Sequence, residues 1–229
     1  MATGEPFAGL AAFGRGHGPG RRPLGRLGVT LGDGDHVAIA YWSPGELLDV
    51  IADSVHDGIE EGDLVVHLAD DAEPTVVEAA LRARGVAVEA EQSAGRLVIT
   101  TAAELLLEGG RFDAAGARAR IMEFAEAARG LGLARVRLSV EMTYLLGGAP
   151  GLEAVHEFET RLAEDVRRGL PLVRLYAFNL ASREVTDLVA DALRAHAILI
   201  SHGQPLANPY FRPWSELRAG PQPWQTRTG

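Results

Sequence analysis

Glu141 closes an apolar run, Val136 to Val140, and is followed by Met142 and Tyr144. A carboxylate placed there can act as a general acid or base, or accept a hydrogen bond from a bound molecule or from the turn at Ser43. The alternative is a carboxylate that is capped or faces solvent. Tyr41 and Trp42 close a second apolar run, Phe178 and Asn179 a third, and Ser201 and His202 a fourth. Aromatic residues make up only 6% of the chain, so Tyr41, Trp42, Tyr144 and Phe178 at such positions point to the lining of an apolar pocket. Their other reading is packing between a sheet and its helices.

The run His36-Val-Ala-Ile-Ala-Tyr-Trp42 leads into Ser43-Pro44-Gly45-Glu46. A strand, a tight turn and a helix are where a nucleotide-binding protein carries a phosphate loop, built from glycine N–H groups and a lysine. Here the glycines are nearly absent, and all 22 basic residues are arginines. An alanine- and arginine-rich composition also reflects codon bias, which weakens the argument from lysine. The proline does not depend on it. Pro44 removes one N–H donor, Ser43 suits the helix cap, and Glu46 three residues on completes a capping box. That helix start is closed to anions, and a ligand there is expected to be neutral and apolar, resting on Tyr41 and Trp42. Nucleophilic catalysis by Ser43 is disfavoured: the Gly-x-Ser-x-Gly pattern is missing, and Pro44 lacks the N–H an oxyanion hole would use.

The remaining titratable groups read mostly as structural. His36 begins its strand and is expected to bond locally. His67 sits in the apolar run Leu64–Ala69 as a core histidine. His156 and Glu159 share a helix face at i,i+3 without a further ligand cluster, so no metal is assigned. His196 and His202 flank the last strand without a metal geometry. Asp70 and Asp71 are read as a solvated helix start, where acids are favourable. No cofactor is assigned.

These residues must be held by alternating strands and helices. The pattern predicts strands at His36–Trp42, Leu64–Ala69, Val86–Glu89, Leu97–Thr101, Arg135–Glu141, Leu172–Phe178 and Ala197–Ser201. Within Arg135–Glu141, apolar Val136, Leu138 and Val140 alternate with Arg135, Arg137 and Ser139. Helices are expected from Ser43 to about Gly58, over Pro74–Arg84, Ala102–Glu108 and Asp113–Gly130, from Pro150 to about Arg168, and over Ser182–Arg194. Such alternation implies a mainly parallel sheet covered on both faces. Ligands then bind beyond the carboxyl ends of the strands, where the named residues lie.

The bulk properties fit this. The chain has 229 residues, 47% hydrophobic and 23% charged, in the range of one α/β domain. No apolar run approaches the ~20 residues that span a bilayer, and the N-terminus lacks a signal-peptide pattern, so a cytoplasmic location is expected. Zero cysteines exclude disulfides and thiol chemistry. A net charge of −9 argues against nucleic acid as a direct partner. Residues 1–34, glycine-rich with four arginines, read as a flexible arm, 35–205 as the folded domain, and 206–229 as a tail with prolines and tryptophans.

The order of several stretches resembles the MEDS domain, the sensory domain of methanogen and methylotroph regulators and the dichloromethane repressor. They are Gly34-Asp35-His36-Val-Ala-Ile-Ala-Tyr41, Gly109-Gly-Arg-Phe-Asp113, Arg137-Leu-Ser-Val-Glu-Met-Thr-Tyr144, His156-Glu-Phe-Glu159, Leu175-Tyr-Ala-Phe-Asn179 and Ala207-Asn-Pro-Tyr-Phe211. The resemblance implies a three-layer RecA/KaiC-like α/β fold without a phosphate loop, and a sensor of small organic molecules. The chain departs from the family at Asn179 and Tyr176, where Asp and Cys are expected, and has no room for a fused helix-turn-helix or kinase module. The expected function is a stand-alone sensory module. It binds a small, largely apolar organic ligand through Tyr41, Trp42, Glu141, Met142, Tyr144, Phe178, Asn179 and His202. By family analogy, it signals to a partner such as a kinase-like or anti-sigma-type regulator. The alternative is an enzyme independent of ATP that uses Glu141 as acid or base in the same pocket.

Overall fold

The computed structural model describes residues 25–70, 72–181, 195–209 and 211–212. The elements are β1 (His36–Tyr41), α1 (Pro44–Glu61), β2 (Leu64–Ala69), α2 (Pro74–Ala83), α3 (Val88–Ser93), β3 (Leu97–Thr101), α4 (Ala102–Leu106), β4 (Leu107–Glu108), β5 (Arg111–Phe112), α5 (Ala114–Gly130), β6 (Val136–Glu141), α6 (Val155–Arg167), β7 (Leu172–Asn179), β8 (Ile198–Ser201) and β9 (Gln204–Ala207). Two 3₁₀ turns, Met142–Gly147 and Leu152–Ala154, join β6 to α6.

Seven strands form one sheet in the order β3-β2-β6-β7-β1-β8-β9, parallel except for β9. The three-layer α/β class expected from the sequence is the one found. Period-two alternation divides the sheet's side chains between two cores. Val37, Ile39 and Tyr41 pack with α1 and α2, while Ala38, Leu68, Leu138, Val140, Tyr176 and Phe178 pack with α4, α5 and α6. The central strands are buried on both faces, as crossover helices on either side require.

Local chemistry sets the helix ends. Ser43 Oγ accepts from the Glu46 N–H, Pro44 takes the first position, and Gly62 in the left-handed region (φ 78°) closes α1. Thr101 and Glu104 make a complete capping box for α4, and Asp113 accepts from the N–H groups of Ala115 and Gly116 to start α5. Gly58 lets α1 lie against the sheet: a Cβ there would come within 2.7 Å of Val65 and 2.9 Å of Arg137.

Several expectations are corrected. Val86–Glu89 is not a strand. Gly85 turns the chain at φ 86°, Val86 and Val88 both point into the α1 and α2 core, and the helix-forming Val88–Ser93 becomes α3. The helix after Thr101 stops at Leu106, because Gly109 and Gly110, both at positive φ, fold Leu107–Phe112 into a β4–β5 hairpin. Residues 204–207, partly assigned to the tail, form β9 against β8. The body also starts before residue 35: Leu27 and Leu31 are buried, and the Arg26 and Leu27 N–H groups donate to Asp57 at 2.8 and 3.0 Å. The helix expected over Ser182–Arg194, like most of the arm and tail, lies outside the described residues.

Candidate functional site

Among the described residues, the carboxyl ends of the strands do not gather the expected lining into one pocket. The expected lining residues split into three groups, because neighbouring positions on a strand face opposite sides of the sheet.

Tyr41, 1% exposed, faces the α1 core. Trp42, one residue on, turns outward and is 42% exposed. Its ring stacks on His202 with centroids 4.5 Å apart and planes 8° from parallel. His202 sits at φ 49° in the β8–β9 turn, with Nδ1 3.1 Å from Glu46 Oε1. The other Glu46 oxygen accepts from the Trp42 N–H at 2.9 Å, so the back half of the expected capping box goes to Trp42 instead of Ser43. Glu46, Trp42 and His202 thus form a surface clasp over the first turn. The strand-to-helix turn holds a carboxylate where a phosphate loop would hold an anion.

Glu141 is fully buried. Its Oε2 accepts from the N–H groups of Asp70 and Ala72 at 2.9 and 3.1 Å, and its Oε1 lies 3.3 Å from His67 Nε2. His67 Nδ1 is 2.8 Å from Ser139 Oγ. Serine, histidine and acid therefore follow one another in contact order. All three are inside the molecule, however, and one Glu141 oxygen is committed to the β2–α2 loop. This arrangement ties β2, β6 and that loop together. Among the described residues it offers no face to a substrate, and a nucleophile or general base must reach one. The Asp70 backbone is part of this cap; Asp71 lies outside the described residues.

Met142 and Tyr144 face the α4–α6 side. There a small cavity of about 10 Å³, the space of roughly one water, is lined by Leu68, Leu138, Val140, Met142, Tyr144, Phe158, Glu159 and Tyr176, among others. The 3₁₀ turn Met142–Gly147 forms its lid. Short 3₁₀ stretches have poorer hydrogen-bond geometry than α-helix and often serve as connectors, as this one does between β6 and α6. Beyond the lid the chain is pinned at Phe112, whose N–H donates to Pro150 O at 2.8 Å. Gly151 (φ 93°) packs so tightly there that a Cβ would meet Phe112 O at 2.1 Å.

The polar side of the cavity comes from residues that the sequence reading did not place in the site. Glu159 Oε2 accepts from Arg174 Nη1 at 2.8 Å, and Oε1 accepts a short hydrogen bond from the Tyr176 hydroxyl. Burial raises the Glu159 carboxyl above its usual range, against the opposing pull of Arg174 and Tyr176. Burial also raises both Tyr144 and Tyr176, with the Glu159 charge adding to it, so both keep their protons. The signal was the alternation of Arg174, Tyr176 and Phe178 on one strand face opposite Glu159. Glu159 is taken up by Arg174 and Tyr176, and the described residues hold no group of three or more His, Cys, Asp or Glu placed to bind a metal.

Phe178 is buried in the same core, edge-on to His196 at 5.9 Å. Asn179 Oδ1 accepts from the Ala181 N–H at 3.1 Å, shaping the chain after β7. His36 lies edge-on to Tyr176 at 4.7 Å and against His196 at 3.8 Å. The residue keeps some exposed surface, but its Nε2 is buried. Burial, then the charges of Arg174 and His196, hold its pKa well below 6.5. An imidazole that stays neutral when folded but is protonated when unfolded stabilises the fold above pH 6.5 and loses that contribution as pH falls. Wild-type protein is therefore expected to lose up to about 1.4 kcal/mol per pH unit below 6.5 through this group. His36→Phe should flatten that slope when urea unfolding is compared at pH 7.5 and 5.5. Glu159, raised by burial, works in the opposite sense in both proteins and cancels in the comparison.

The fold and site define an α/β domain with a mainly parallel sheet, a first turn closed to phosphate and a small cavity beside Met142 and Tyr144. A family profile described as the methanogen/methylotroph, DcmR sensory domain (MEDS) matches residues 35–197. The chain belongs to the MEDS family, as its motifs indicated. No curated protein matches the chain significantly. Among solved structures it is similar to the uncharacterized protein PH0321 of Pyrococcus horikoshii, which was crystallised with an unknown peptide. The TM-score is 0.57 at 12% identity, over 76% of this chain and 79% of that one. The KaiC-like protein PH0186 of the same organism overlaps more weakly: TM-score 0.49 and 13% identity, over 74% of this chain and 71% of that one. At this identity the first likeness concerns the fold alone. Among the described residues, no helix is long and apolar enough to cross a membrane.

Proposed function

We propose that this MEDS domain is a sensory module whose ligand is a small, largely apolar organic molecule. It is held in the cavity beneath Met142–Gly147, and its presence is passed to a partner regulator in the cytoplasm. The observation that carries this reading is the mostly apolar space at the carboxyl half of β2 and β6, bordered by Met142 and Tyr144 of a 3₁₀ turn and not by regular helix on that side. As it stands, the cavity holds about one water's volume, so a ligand enters by displacing the lid. That motion is the signal. Met142 and Tyr144 keep their expected role, Tyr41 and Trp42 leave the pocket, and Glu141 becomes the anchor at the lid's base. The family's sensory character supports the partner, which by analogy is a kinase-like or anti-sigma-type regulator. The clasp of Trp42 on His202 is an accessible contact surface for it.

The chain has three methionines, so ¹³C-methyl labelling isolates Met142. Xenon and one- to four-carbon organic probes are expected to shift its signal saturably without product formation. Hydrogen exchange over residues 142–154 is expected to change with occupancy. A Met142 signal indifferent to every probe, or turnover of one of them, overturns the proposal.

A further inference from the structure

The two edges of the sheet are built differently. β9 carries Pro205, which has no N–H to offer, and a Cβ at Gly28 would lie 3.6 Å from the proline ring, so the segment before β1 runs beside that edge. β3, at the other edge, reads Leu97-Val-Ile-Thr-Thr101, without a charge or a proline to blunt it. We propose that β3 is the interface of a two-fold dimer, in which the β3 strands of two copies pair antiparallel about Val98 and join the two sheets into one.

The ladder fixes which backbone groups are free. The Val65 N–H donates to Arg96 O at 2.9 Å, and Val65 pairs with Leu97 in register. A parallel ladder then turns the N–H and C=O of Val98 and Thr100 towards β2, and those of Leu97 and Ile99 outward. Among the described residues these outward groups have no partner. The Thr101 N–H, next in line, is taken by Glu104 Oε2 at 3.2 Å. A two-fold axis through Val98 sets Leu97 opposite the partner's Ile99, and Ile99 opposite the partner's Leu97. Each is a pair that exchanges both of its hydrogen bonds, so every outward donor and acceptor of Leu97 and Ile99 is satisfied.

The same register matches side chains. Val98, at the rim of the α4–α6 core, meets the partner's Val98, a cross-strand pair of β-branched residues. Arg96 falls opposite the partner's Thr100. Thr100 Oγ1 donates to Glu104 Oε2 at 2.6 Å, so a carboxylate stands ready for the arginine. Arg96 spends Nη2 on Glu91 at 2.7 Å and keeps Nε and Nη1 for this second acid. The symmetry makes this complementarity occur twice. A second copy brings the required spacing of donors, acceptors and charges by construction, which is why the edge fits itself. One strand pair with its flanking turns is a small interface, so the dimer is of the weak class, dissociating at about 10–100 µM.

Sedimentation of the full chain over about 1–500 µM is expected to show a monomer–dimer equilibrium. Amide exchange read by NMR should alternate along β3. Val98 and Thr100 stay protected at every concentration, while Leu97 and Ile99 become protected only as the dimer fills. Ile99→Pro removes one outward N–H and no bond to β2, and should weaken association about tenfold or more. Ile99→Lys places a charge on the edge and should act in the same direction, which keeps the test open if the proline variant fails to fold. A chain monomeric at every concentration overturns the proposal. So does an Ile99→Lys dimer as tight as the wild type, which would put the interface elsewhere. Protection of Leu97 and Ile99 in the monomer also overturns it, because another segment of the same chain would then cover β3.

Discussion

Glu141→Ala is expected to destabilise the domain by about 3–5 kcal/mol, because it leaves the Asp70 and Ala72 N–H groups without their acceptor and removes the buried carboxylate beside His67. Asp70 and Ala72 donate to one carboxylate oxygen, and His67 approaches the other at 3.3 Å. Urea unfolding of the two proteins measures the loss. Glu141→Gln should cost less, since its amide oxygen can still accept from the loop but its amide nitrogen cannot act as an acceptor beside His67. The experiment also separates the two roles the sequence left open. A catalytic acid or base would tolerate removal with little change in stability while abolishing turnover. A large stability loss, together with altered exchange at residues 70–73 and 142–147, marks an anchor joining the β2–α2 loop to the lid. Unchanged stability in Glu141→Ala would contradict the anchor.

The second large effect lies at the opposite end of the sheet. Asp63, fully buried, accepts from Arg135 Nε and Arg137 Nε at 2.9 Å each, and Glu61 accepts from both guanidinium groups at 2.7 and 2.9 Å. Two acids and two arginines balance in charge, with Arg137 only 1% exposed. Asp63→Ala leaves an excess buried cation and is expected to cost about 3–5 kcal/mol. The double variant Asp63→Leu with Arg137→Met should recover most of that, since well-packed apolar replacements of buried pairs are often neutral or stabilising. Calorimetric unfolding of both variants tests this. A double variant as unstable as the single one would show that the network is needed for packing as well as for charge balance.

Much of the fold was legible because it rests on local rules. Ser43-Pro44-Gly45-Glu46 announces a helix start, and Leu64–Ala69 and Leu172–Phe178 read as strands buried on both faces. The alternation in β6 marked its two faces but not that Arg137 and Ser139 are also covered. Which partner neutralises a buried arginine depends on residues more than 70 positions away in the chain. The Gly109-Gly110 hairpin and β9 were missed because their strands are only two and four residues long, too short for periodicity to register.

The site was less legible. Tyr41 and Trp42 are adjacent in sequence, yet one enters the α1 core and the other stacks on His202 at the surface. Met142 and Tyr144 border a small cavity, but Glu159 on α6 and Tyr176 on β7, which the sequence reading did not place there, border it as well. By itself the sequence determined the family, the α/β layering and a first turn unsuited to phosphate, since motif order, strand–helix alternation and a helix cap are encoded within a few residues of one another. Only the tertiary structure decided that Glu141 is buried against the β2–α2 loop, that the expected lining residues divide across the sheet, and that Met142 and Tyr144 border a small, mostly apolar cavity. Those outcomes depend on which faces of distant elements meet, and burial sets the electrostatics only once they do.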